Sequence, residues 1–495
     1  MTDIDRAAMG RKGIENKWLV LAAVMLGTFL APLDASIVNT VLPDISRHFK
    51  TDISIVQWVP TIYLLTISCL ILLYGRLGDM LGYKKIFLYG VAGFTVASAL
   101  CGVSQSIWML IAFRAVQGLA AGMLMAVGMA IVTSVFPPAE RGKAMGIYAI
   151  SIAAALGLGP TLGGLIAEYL NWRYVFFVNL PIGVIAVLWG ARIIPRGSTI
   201  PGQRLDLTGA VTASIFLVTL LLYANRGEDW GWTDPLPLAL LGLAVLFGVL
   251  FYWVERKADQ PMLNLSLFNS RQFSLASLSA LLSFIALYGV IFLVPFYLAF
   301  ILNYSILKVG LIMAASPVAM LLIAPVSGTL SDRIGTRIFT VCGMSIVALG
   351  LFLLSDLKES AGAFDIIWRL VITGSGMGMF QSPNNSAIMG SVAPRYMGIA
   401  SGTIAAMRNV GMVIGIAVAG AVLYTLAPAA TMSHQGAFGS AEIEEFLTGL
   451  RWAFITGTIF AGLAVLTSIA ATDGQEKQAG TGIPSTSQIP FKDSG

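Results

Sequence analysis

Hydrophobic runs of about twenty residues alternate with short polar segments along most of the chain. A helix needs about 20 apolar residues to cross the hydrocarbon core of a bilayer. Fourteen runs come close to that length, so the pattern predicts fourteen membrane-spanning helices. The first run, 18–42, is too long for the hydrophobic part of a cleavable signal peptide and is interpreted as the first span. The predicted spans are residues 18–42, 53–74, 85–104, 107–135, 144–167, 174–194, 206–223, 235–254, 273–302, 308–330, 338–355, 365–391, 398–425 and 451–470.

A repeat divides these spans into two related halves. The pattern Gly-x-Leu-x-Asp-x-x-Gly occurs at residues 75–82 and again at 328–335, an offset of 253. Parallel halves related by an axis along the membrane normal are typical of transporters. The predicted fold is therefore all-α and integral to the membrane, with two pseudo-symmetric six-helix bundles plus two inserted helices. The predicted domains are a cytoplasmic segment 1–17, a first bundle 18–194, a linker with the inserted helices 195–272, a second bundle 273–470 and a disordered cytoplasmic tail 471–495.

Basic residues are concentrated on one side of the predicted spans. With the amino terminus in the cytoplasm, 20 of the 30 lysines and arginines face the cytoplasm, 7 face outward, and Arg114, Arg369 and Arg408 lie within spans. Cytoplasmic loops carry an excess of basic residues, so this orientation is favoured, and the even count places both termini in the cytoplasm of a cell membrane protein. The same bias explains the net charge of +5 without a nucleic-acid partner.

Composition argues against a soluble protein and against an enzyme. The chain is 57% hydrophobic and 11% charged, whereas soluble domains carry about 25% charged residues. Cys69, Cys101 and Cys342 lie in apolar runs and are interpreted as core residues. Because His48 and His434 lie outside those runs, no cluster of histidine, cysteine and carboxylate suggests a catalytic or metal site. The sequence also has no Gly-x4-Gly-Lys-[Ser/Thr] loop for an ATP-driven pump.

Several motifs resemble those of one transporter family. The repeated turn resembles the signature of the major facilitator superfamily. Segments 33–43 and 57–64 resemble the first two helices of its fourteen-helix drug:proton antiporter branch. Residues 114–118 are similar to the proton-linked motif, residues 157–164 to the antiporter motif, and residues 172–181 to the start of the sixth helix. The resemblance covers about residues 15–470 and implies a multidrug efflux transporter that exchanges its substrate for protons.

Asp34 is the one acidic residue that the pattern places inside a span and away from its ends. A carboxylate in the membrane is costly, and burial favours its protonated form, so Asp34 is a candidate reversible proton carrier. Asp34 and Arg114 both lie roughly 10–12 Å below the outer surface at 1.5 Å per residue. We expect them to meet, and a pair that forms in one conformation only would change the proton affinity of Asp34. A carboxylate bound to a neighbouring helix and a permanent ion pair are the alternatives.

The repeated turns at the predicted cytoplasmic ends of two spans are interpreted as gates. Glycines permit a tight turn, and the aspartate can accept hydrogen bonds from the first amides of a following helix. Contacts of this kind can form in one conformation and break in the other; a loop that only fixes topology is the alternative. The predicted gating residues are Gly75, Asp79, Gly82, Lys84, Gly328, Asp332, Arg333 and Gly335.

The segment that resembles the antiporter motif places small residues about one helical turn apart. Such spacing permits close helix packing, and a proline within the segment can kink the helix. The resemblance implies that this segment seals the cavity against leak, whereas close packing alone is the alternative. The residues are Gly157, Gly159, Pro160, Gly163 and Gly164.

Aromatic side chains with a few polar neighbours suit a cavity for varied lipophilic ligands, although any one aromatic can instead face lipid. Arg408, near the midplane, either faces the cavity or bonds backbone carbonyls, and Arg369 is expected to reach the interface. Because the spans hold more arginines than acids, we expect neutral, monocationic or anionic lipophiles to be favoured over dications, with Arg408 as the contact for an anion. The candidate cavity residues are Trp58, Tyr63, Gln117, Phe296, Tyr297, Gln381, Asn384, Asn385 and Arg408.

The combined prediction is a proton-coupled antiporter that exports small lipophilic compounds by alternating access. Its expected partners are these substrates, protons and membrane lipids. We expect a monomer, with the proton gradient as the driving force and no cofactor or metal. Export of a lipid or of a specific secreted metabolite is the alternative.

Overall fold

A computed structural model describes residues 16–195, 206–230, 234–258, 265–392, 397–427 and 440–471. Every regular element within those ranges is helical. The predicted amino-terminal segment 1–17 lies outside the described residues except for its last two positions. The predicted tail 471–495 lies outside them except for its first.

Seventeen α-helices follow one another in the described residues. The first half contains α1 (Lys17–Phe49), α2 (Ile53–Val56), α3 (Trp58–Leu81), α4 (Tyr83–Gly102), α5 (Ile107–Val135), α6 (Pro138–Tyr169), α7 (Tyr174–Phe177) and α8 (Asn179–Ile193). The inserted segment contains α9 (Leu207–Trp230) and α10 (Pro235–Lys257). The second half contains α11 (Arg271–Phe296), α12 (Ile306–Met313), α13 (Ala315–Ile334), α14 (Thr336–Leu354), α15 (Ala363–Gly390), α16 (Met397–Leu426) and α17 (Ser440–Ala470). A 3₁₀ turn, Leu265–Asn269, precedes α11, and a π-helical turn, Tyr297–Ile301, continues it.

Eleven helical segments of the described residues are long and apolar enough to cross a membrane. Two further predicted spans, 144–167 and 365–391, coincide with the long helices α6 and α15. The predicted span 206–223 coincides with α9, whose apolar stretch is shorter, Thr208–Leu220. The count of fourteen spans and the division into two bundles therefore stay predictions.

Helix packing is closest within each half. In the first half α1 packs along α6, and α5 packs against both α3 and α4. In the second half α15 packs against both α13 and α14, while α11 packs against α16 and α17. The inserted helices α9 and α10 pair with each other, and α9 contacts α3 and α16. The inserted pair therefore lies beside one helix from each half.

The two halves touch at the end of the assembly that carries residues 50–57, 170–173 and 302–305, here called the closed end. There the Arg47 guanidinium donates to the carbonyl of Ala299 at 2.8 Å. The amide of Leu307, at the start of α12, donates to the Glu168 carboxylate at 3.3 Å. In the predicted topology the closed end faces the outside of the cell.

The opposite end carries the two repeated turns and is here called the turn end. Gly82 and Gly335 each end one helix and begin the next, with φ angles of 94° and 104°. Side chains rarely adopt this left-handed conformation, so both turns require glycine. A Cβ atom built on Gly75, near the turn end of α3, would meet nothing within 4 Å. The face of α3 at Gly75 is therefore uncovered in this conformation.

Candidate functional site

Five polar side chains from four helices of the first half form one buried cluster, here called the Asp34 network. It consists of Asp34 on α1, Ser98 on α4, Arg114 and Gln117 on α5, and Asn179 at the start of α8. All five residues are fully buried, with 0% exposure. The network lies among apolar helices, so its members must satisfy one another's hydrogen bonds.

Asp34 accepts hydrogen bonds from three donors. Its Oδ2 atom forms an ion pair with Nη1 of Arg114. Its Oδ1 atom accepts from Nε2 of Gln117 and from Nδ2 of Asn179, each at 2.9 Å. Every neighbour that bonds the carboxyl group is a donor, so the network matches the ionised form of Asp34. A protonated Asp34 would present an O–H group to donors, and proton binding would therefore require the network to rearrange.

Arg114 is fixed by contacts on several sides. Its Nε atom donates to the carbonyl of Val59 at 3.1 Å, and its Nη1 atom also donates to Oε1 of Gln117 at 2.6 Å. Its guanidinium carbon lies 4.0 Å from the ring centroid of Tyr63, which places it within the range of a cation–π contact. Its Nη2 atom is buried and has no hydrogen-bond partner within the described residues. Asp34 is therefore the acid that balances this buried cation.

Asp34 and Arg114 form the expected contact, but the sequence did not predict that the other members of the network belong to the same cluster. Gln117 was a cavity candidate, and the structure places it in the network, where its amide also donates to Ser98 at 2.8 Å. Ser98 and Asn179 were assigned no role. The sequence signal that could have indicated a buried role is that each is an isolated polar residue in or next to an apolar run. Arg114 and Gln117 are three residues apart and so share one helix face.

The segment 157–164 allows α6 to pack closely against α1. Pro160 has no amide hydrogen, so the carbonyl of Leu156, four residues earlier, loses its helical donor. The hydroxyl of Ser36 on α1 donates to that carbonyl at 2.8 Å. A Cβ atom on Gly159 would lie 2.5 Å from the Cβ of Ser36. The glycine therefore permits the close approach that lets Ser36 replace the missing hydrogen bond.

The same segment also brings α6 close to the second half. A Cβ atom on Gly163 would lie 2.8 Å from the carbonyl oxygen of Ile37 on α1. A Cβ atom on Gly164 would lie 2.8 Å from the carbonyl oxygen of Ile306 at the start of α12. Gly157 is less crowded, with Pro317 on α13 at 3.8 Å. The glycines of this segment thus face α1 of the same half and α12 and α13 of the other half.

The predicted gating residues make contacts different from those expected. Helix α4 begins after Gly82 without a side-chain cap, and the hydrogen bonds expected between its first amides and Asp79 are not formed among the described residues. Asp79 instead accepts a hydrogen bond from the hydroxyl of Tyr83. Lys84 donates to the carbonyls of Ala191 and Ile194, at 2.7 and 2.6 Å, and so caps the end of α8.

The repeated turn of the second half has the same backbone form. Gly328 packs against Ser382 of α15, since a Cβ atom there would lie 2.5 Å from the Ser382 hydroxyl oxygen. Arg333 is exposed at the end of α13. The side chain of Asp332 lies outside the described part of the chain. Gly75 is uncovered whereas Gly328 is packed, so the two related turns are not in equivalent surroundings.

The remaining cavity candidates do not come together at one place. Tyr63 lies against Arg114 and donates to the carbonyl of Ala31 at 3.1 Å. Trp58 is buried at the closed-end terminus of α3. Phe296 packs edge-on against Phe292, with ring centroids 5.4 Å apart.

Five further candidates lie on α15, α16 and the π-helical turn. Tyr297 is tied by its hydroxyl to the carbonyl of Lys358 at 2.7 Å. Asn384 is buried on α15 and donates to the carbonyl of Ala276 at 3.1 Å. Gln381 and Asn385 are half-buried on the same helix, and Arg408 is half-buried on α16. Of these, Arg408 is the one that lies within reach of side chains from both halves.

Comparison with known proteins identifies the family. The model of the Major Facilitator Superfamily matches residues 24–416 and 276–482. The chain belongs to the major facilitator superfamily. It is thus a multi-pass membrane transporter, of a family whose members are not enzymes. The predicted resemblance to the superfamily is confirmed.

Individual relatives refine this assignment. The chain is 34% identical over 405 residues to the riboflavin transporter RibZ of Clostridioides difficile (strain 630), covering 82% of this chain and 88% of that protein. It is 33% identical over 406 residues to the multidrug resistance protein Stp of Mycobacterium tuberculosis (strain CDC 1551 / Oshkosh), covering 82% and 75%. A bacterial homologue of the human lysosomal transporter Spinster, solved in an inward-facing and unoccupied conformation, has the same fold at a TM-score of 0.65 and 17% identity, over 92% of this chain and 96% of that one. The relatives therefore include transporters named for multidrug resistance and one named for a vitamin.

Proposed function

We propose that this chain exports small lipophilic compounds from the cytoplasm in exchange for protons, by alternating access across a cell membrane. The proposal includes fourteen spans with both termini in the cytoplasm, a monomeric unit, no cofactor, and no nucleic-acid partner. The observation that carries it is the Asp34 network. Burying a carboxylate inside the membrane is energetically costly. A role in proton coupling, in which protonation of Asp34 changes the conformation, accounts for that cost.

The geometry supports a specific order of events. In the described conformation the two halves are in contact at the closed end, and Asp34 forms an ion pair with Arg114. Because the network is fully buried, a proton can reach Asp34 only after helices move. When the closed end opens to the outside, a proton neutralises Asp34 and releases Arg114. During the return, before the network is buried again, Arg114 pairs with Asp34 and displaces that proton toward the cytoplasmic side, so one proton enters as substrate leaves.

The packing at the closed end supports the alternating step. Glycines of α6 allow its backbone to touch α12, and Arg47 and Glu168 add polar contacts between the halves. These contacts must break before substrate can leave outward. At the turn end, the uncovered Gly75 leaves room for another helix to approach in the opposite conformation. Interfaces of this kind favour two discrete arrangements rather than continuous deformation.

Export of a specific metabolite is a second candidate. The similarity to a protein named a riboflavin transporter favours it, because that name designates one vitamin rather than varied drugs. Competition assays separate the two candidates: a multidrug exporter is inhibited by chemically unrelated lipophiles, whereas a metabolite exporter is inhibited by close analogues of one compound only.

The test of proton coupling is uphill transport in proteoliposomes under an imposed pH gradient. Purified wild-type protein should accumulate a monocationic lipophilic dye against its gradient, and collapse of the pH gradient with an ionophore should stop accumulation. Asp34→Asn should abolish accumulation, and so should Asp34→Asn combined with Arg114→Gln, which leaves no unpaired charge. Asp365→Asn is the matched control at a half-exposed ion pair and should transport normally. Wild-type accumulation that survives collapse of the gradient would contradict the proposal.

A further inference from the structure

Of Arg114, Arg369 and Arg408, the three arginines assigned to the interior of the spans, Arg408 is the one that lacks an acidic partner among the described residues. Arg114 is paired with Asp34, and Arg369 is paired with Asp365 at 3.2 Å. Arg408 lies on α16, about midway along the helix and half-buried. Within the part of the chain that the structure describes, its guanidinium forms no hydrogen bond and no ion pair. Partial burial of a cation without a counter-charge is unfavourable, so the position of Arg408 requires an explanation.

The surroundings of Arg408 place it between the two halves. Tyr148 on α6 and Tyr288 on α11 are both close enough to act electrostatically on its guanidinium. Tyr148 belongs to the first half, where its hydroxyl lies beside Gly128 of α5. Tyr288 belongs to the second half, where a Cβ atom on Gly415 would lie 3.1 Å from it. Arg408 is therefore positioned where a substrate would contact both halves of an alternating-access transporter.

Buried apolar side chains share the helix faces of Arg408 and Tyr288. Met412 is one helical turn beyond Arg408, and Phe284 is one turn before Tyr288; each is 7% exposed. Residues four apart on a helix share a face, so both lie on the faces that carry Arg408 and Tyr288. An arginine fork with two tyrosines and an apolar border suits a carboxylate attached to an apolar body, because arginine binds carboxylates through two parallel hydrogen bonds.

We propose that Arg408, between Tyr148 and Tyr288, binds the carboxylate of amphiphilic organic acids, and that such acids are a preferred substrate class. The carboxylate of the ligand is then the counter-charge of Arg408, as Asp34 is of Arg114 and Asp365 is of Arg369. The proposal rests on the proposed function in one respect: it assumes that the space between the halves is the transport cavity.

The test compares two probes with the same apolar body, pyrenebutyrate and pyrenebutanol. Binding of each to purified full-length protein in an uncharged detergent is measured by equilibrium dialysis against protein-free micelles at neutral pH. The wild type should bind pyrenebutyrate more tightly than pyrenebutanol. In Arg408→Gln the ratio of the two affinities should fall about tenfold to a hundredfold, the range of a charge-assisted hydrogen bond. Arg408→Lys keeps the positive charge but loses the guanidinium fork, so its affinity ratio should lie between those of the wild type and Arg408→Gln.

Arg369→Gln is the matched control, since it removes an arginine that already has an acid partner, and the affinity ratio should stay at its wild-type value. Size-exclusion profiles establish that each variant is folded. Equal affinity of the wild type for both probes, or a ratio unchanged in Arg408→Gln, would overturn the proposal. Export of pyrenebutanol by wild type under a pH gradient tests the proposed function separately. If pyrenebutanol is not exported but the affinity ratio is as expected, proton-driven export is refuted and the proposed carboxylate site is retained.

Discussion

Replacing Asp34 with asparagine should destabilise the protein far more than replacing any half-exposed acid. The change leaves Arg114 fully buried without a counter-charge. The new amide also brings an NH₂ group to a site where Arg114, Gln117 and Asn179 all donate, so at least one donor must face another. Breaking a buried ion pair by removing one partner costs about 3–5 kcal/mol.

The matched comparison is Asp365→Asn on α15. Asp365 and Arg369 are 3.2 Å apart with side-chain exposures of 37% and 11%, so solvent screens the pair and its loss should cost about 0–1 kcal/mol. In the double variant Asp34→Asn/Arg114→Gln the unpaired charge is gone. That double variant should recover part of the loss, and the two substitutions should be strongly non-additive.

The assay is unfolding in mixed micelles at increasing mole fractions of sodium dodecyl sulfate, followed by far-ultraviolet circular dichroism and by tryptophan fluorescence. The expected ranking of stability is wild type, then Asp365→Asn, then the double variant, then Asp34→Asn. An Asp34→Asn protein as stable as Asp365→Asn would refute the reasoning, because it would mean that Asp34 is already neutral in the described conformation.

Three other perturbations have defined outcomes. Ser36→Ala removes the donor to the Leu156 carbonyl and should lower the unfolding free energy by about 1–3 kcal/mol in the same assay. Ser345→Ala is the control, because the Ser345 hydroxyl donates to the Val341 carbonyl in an exposed hydrogen bond, and it should be nearly neutral. Equal effects of the two substitutions would contradict the role of Ser36. Asp79→Asn should slow turnover with little change in substrate affinity, because the turn lies at the end of α3, away from the space between the halves; a large affinity loss at unchanged turnover would show that the turn is not a gate. Among matched quaternary dyes, the monovalent member should be transported in preference to the divalent one, and selective export of the divalent dye would show that a further carboxylate reaches the cavity.

The sequence predicted the helices well because an apolar run bounded by polar residues has little choice of structure in a membrane. The predicted span 107–135 coincides with α5, and both repeated turns lie at helix ends. Depth along a helix was also predictable, since it follows from the rise per residue. That is why Asp34 and Arg114, on α1 and α5, could be expected to meet.

The direction in which a side chain points was much harder to predict. In a membrane both lipid and protein interior are apolar, so the hydrophobic pattern does not distinguish the faces of a helix. Gln117 was therefore assigned to the cavity although it lies in the Asp34 network, and Tyr297 was assigned there although its hydroxyl bonds the Lys358 carbonyl. The closed-end contacts of Arg47 and Glu168 depend on how the two halves meet, which no local pattern reports.

The central claim is the exchange of substrate for protons through Asp34. Its most direct test uses proteoliposomes loaded with ethidium and the pH-sensitive dye pyranine, with valinomycin and equal potassium on both sides to hold the membrane potential at zero. As ethidium leaves through the wild-type protein, the interior should acidify, and neither Asp34→Asn nor protein-free liposomes should show this acidification. Ethidium efflux through the wild type at constant internal pH, or equal acidification with Asp34→Asn, would contradict the claim.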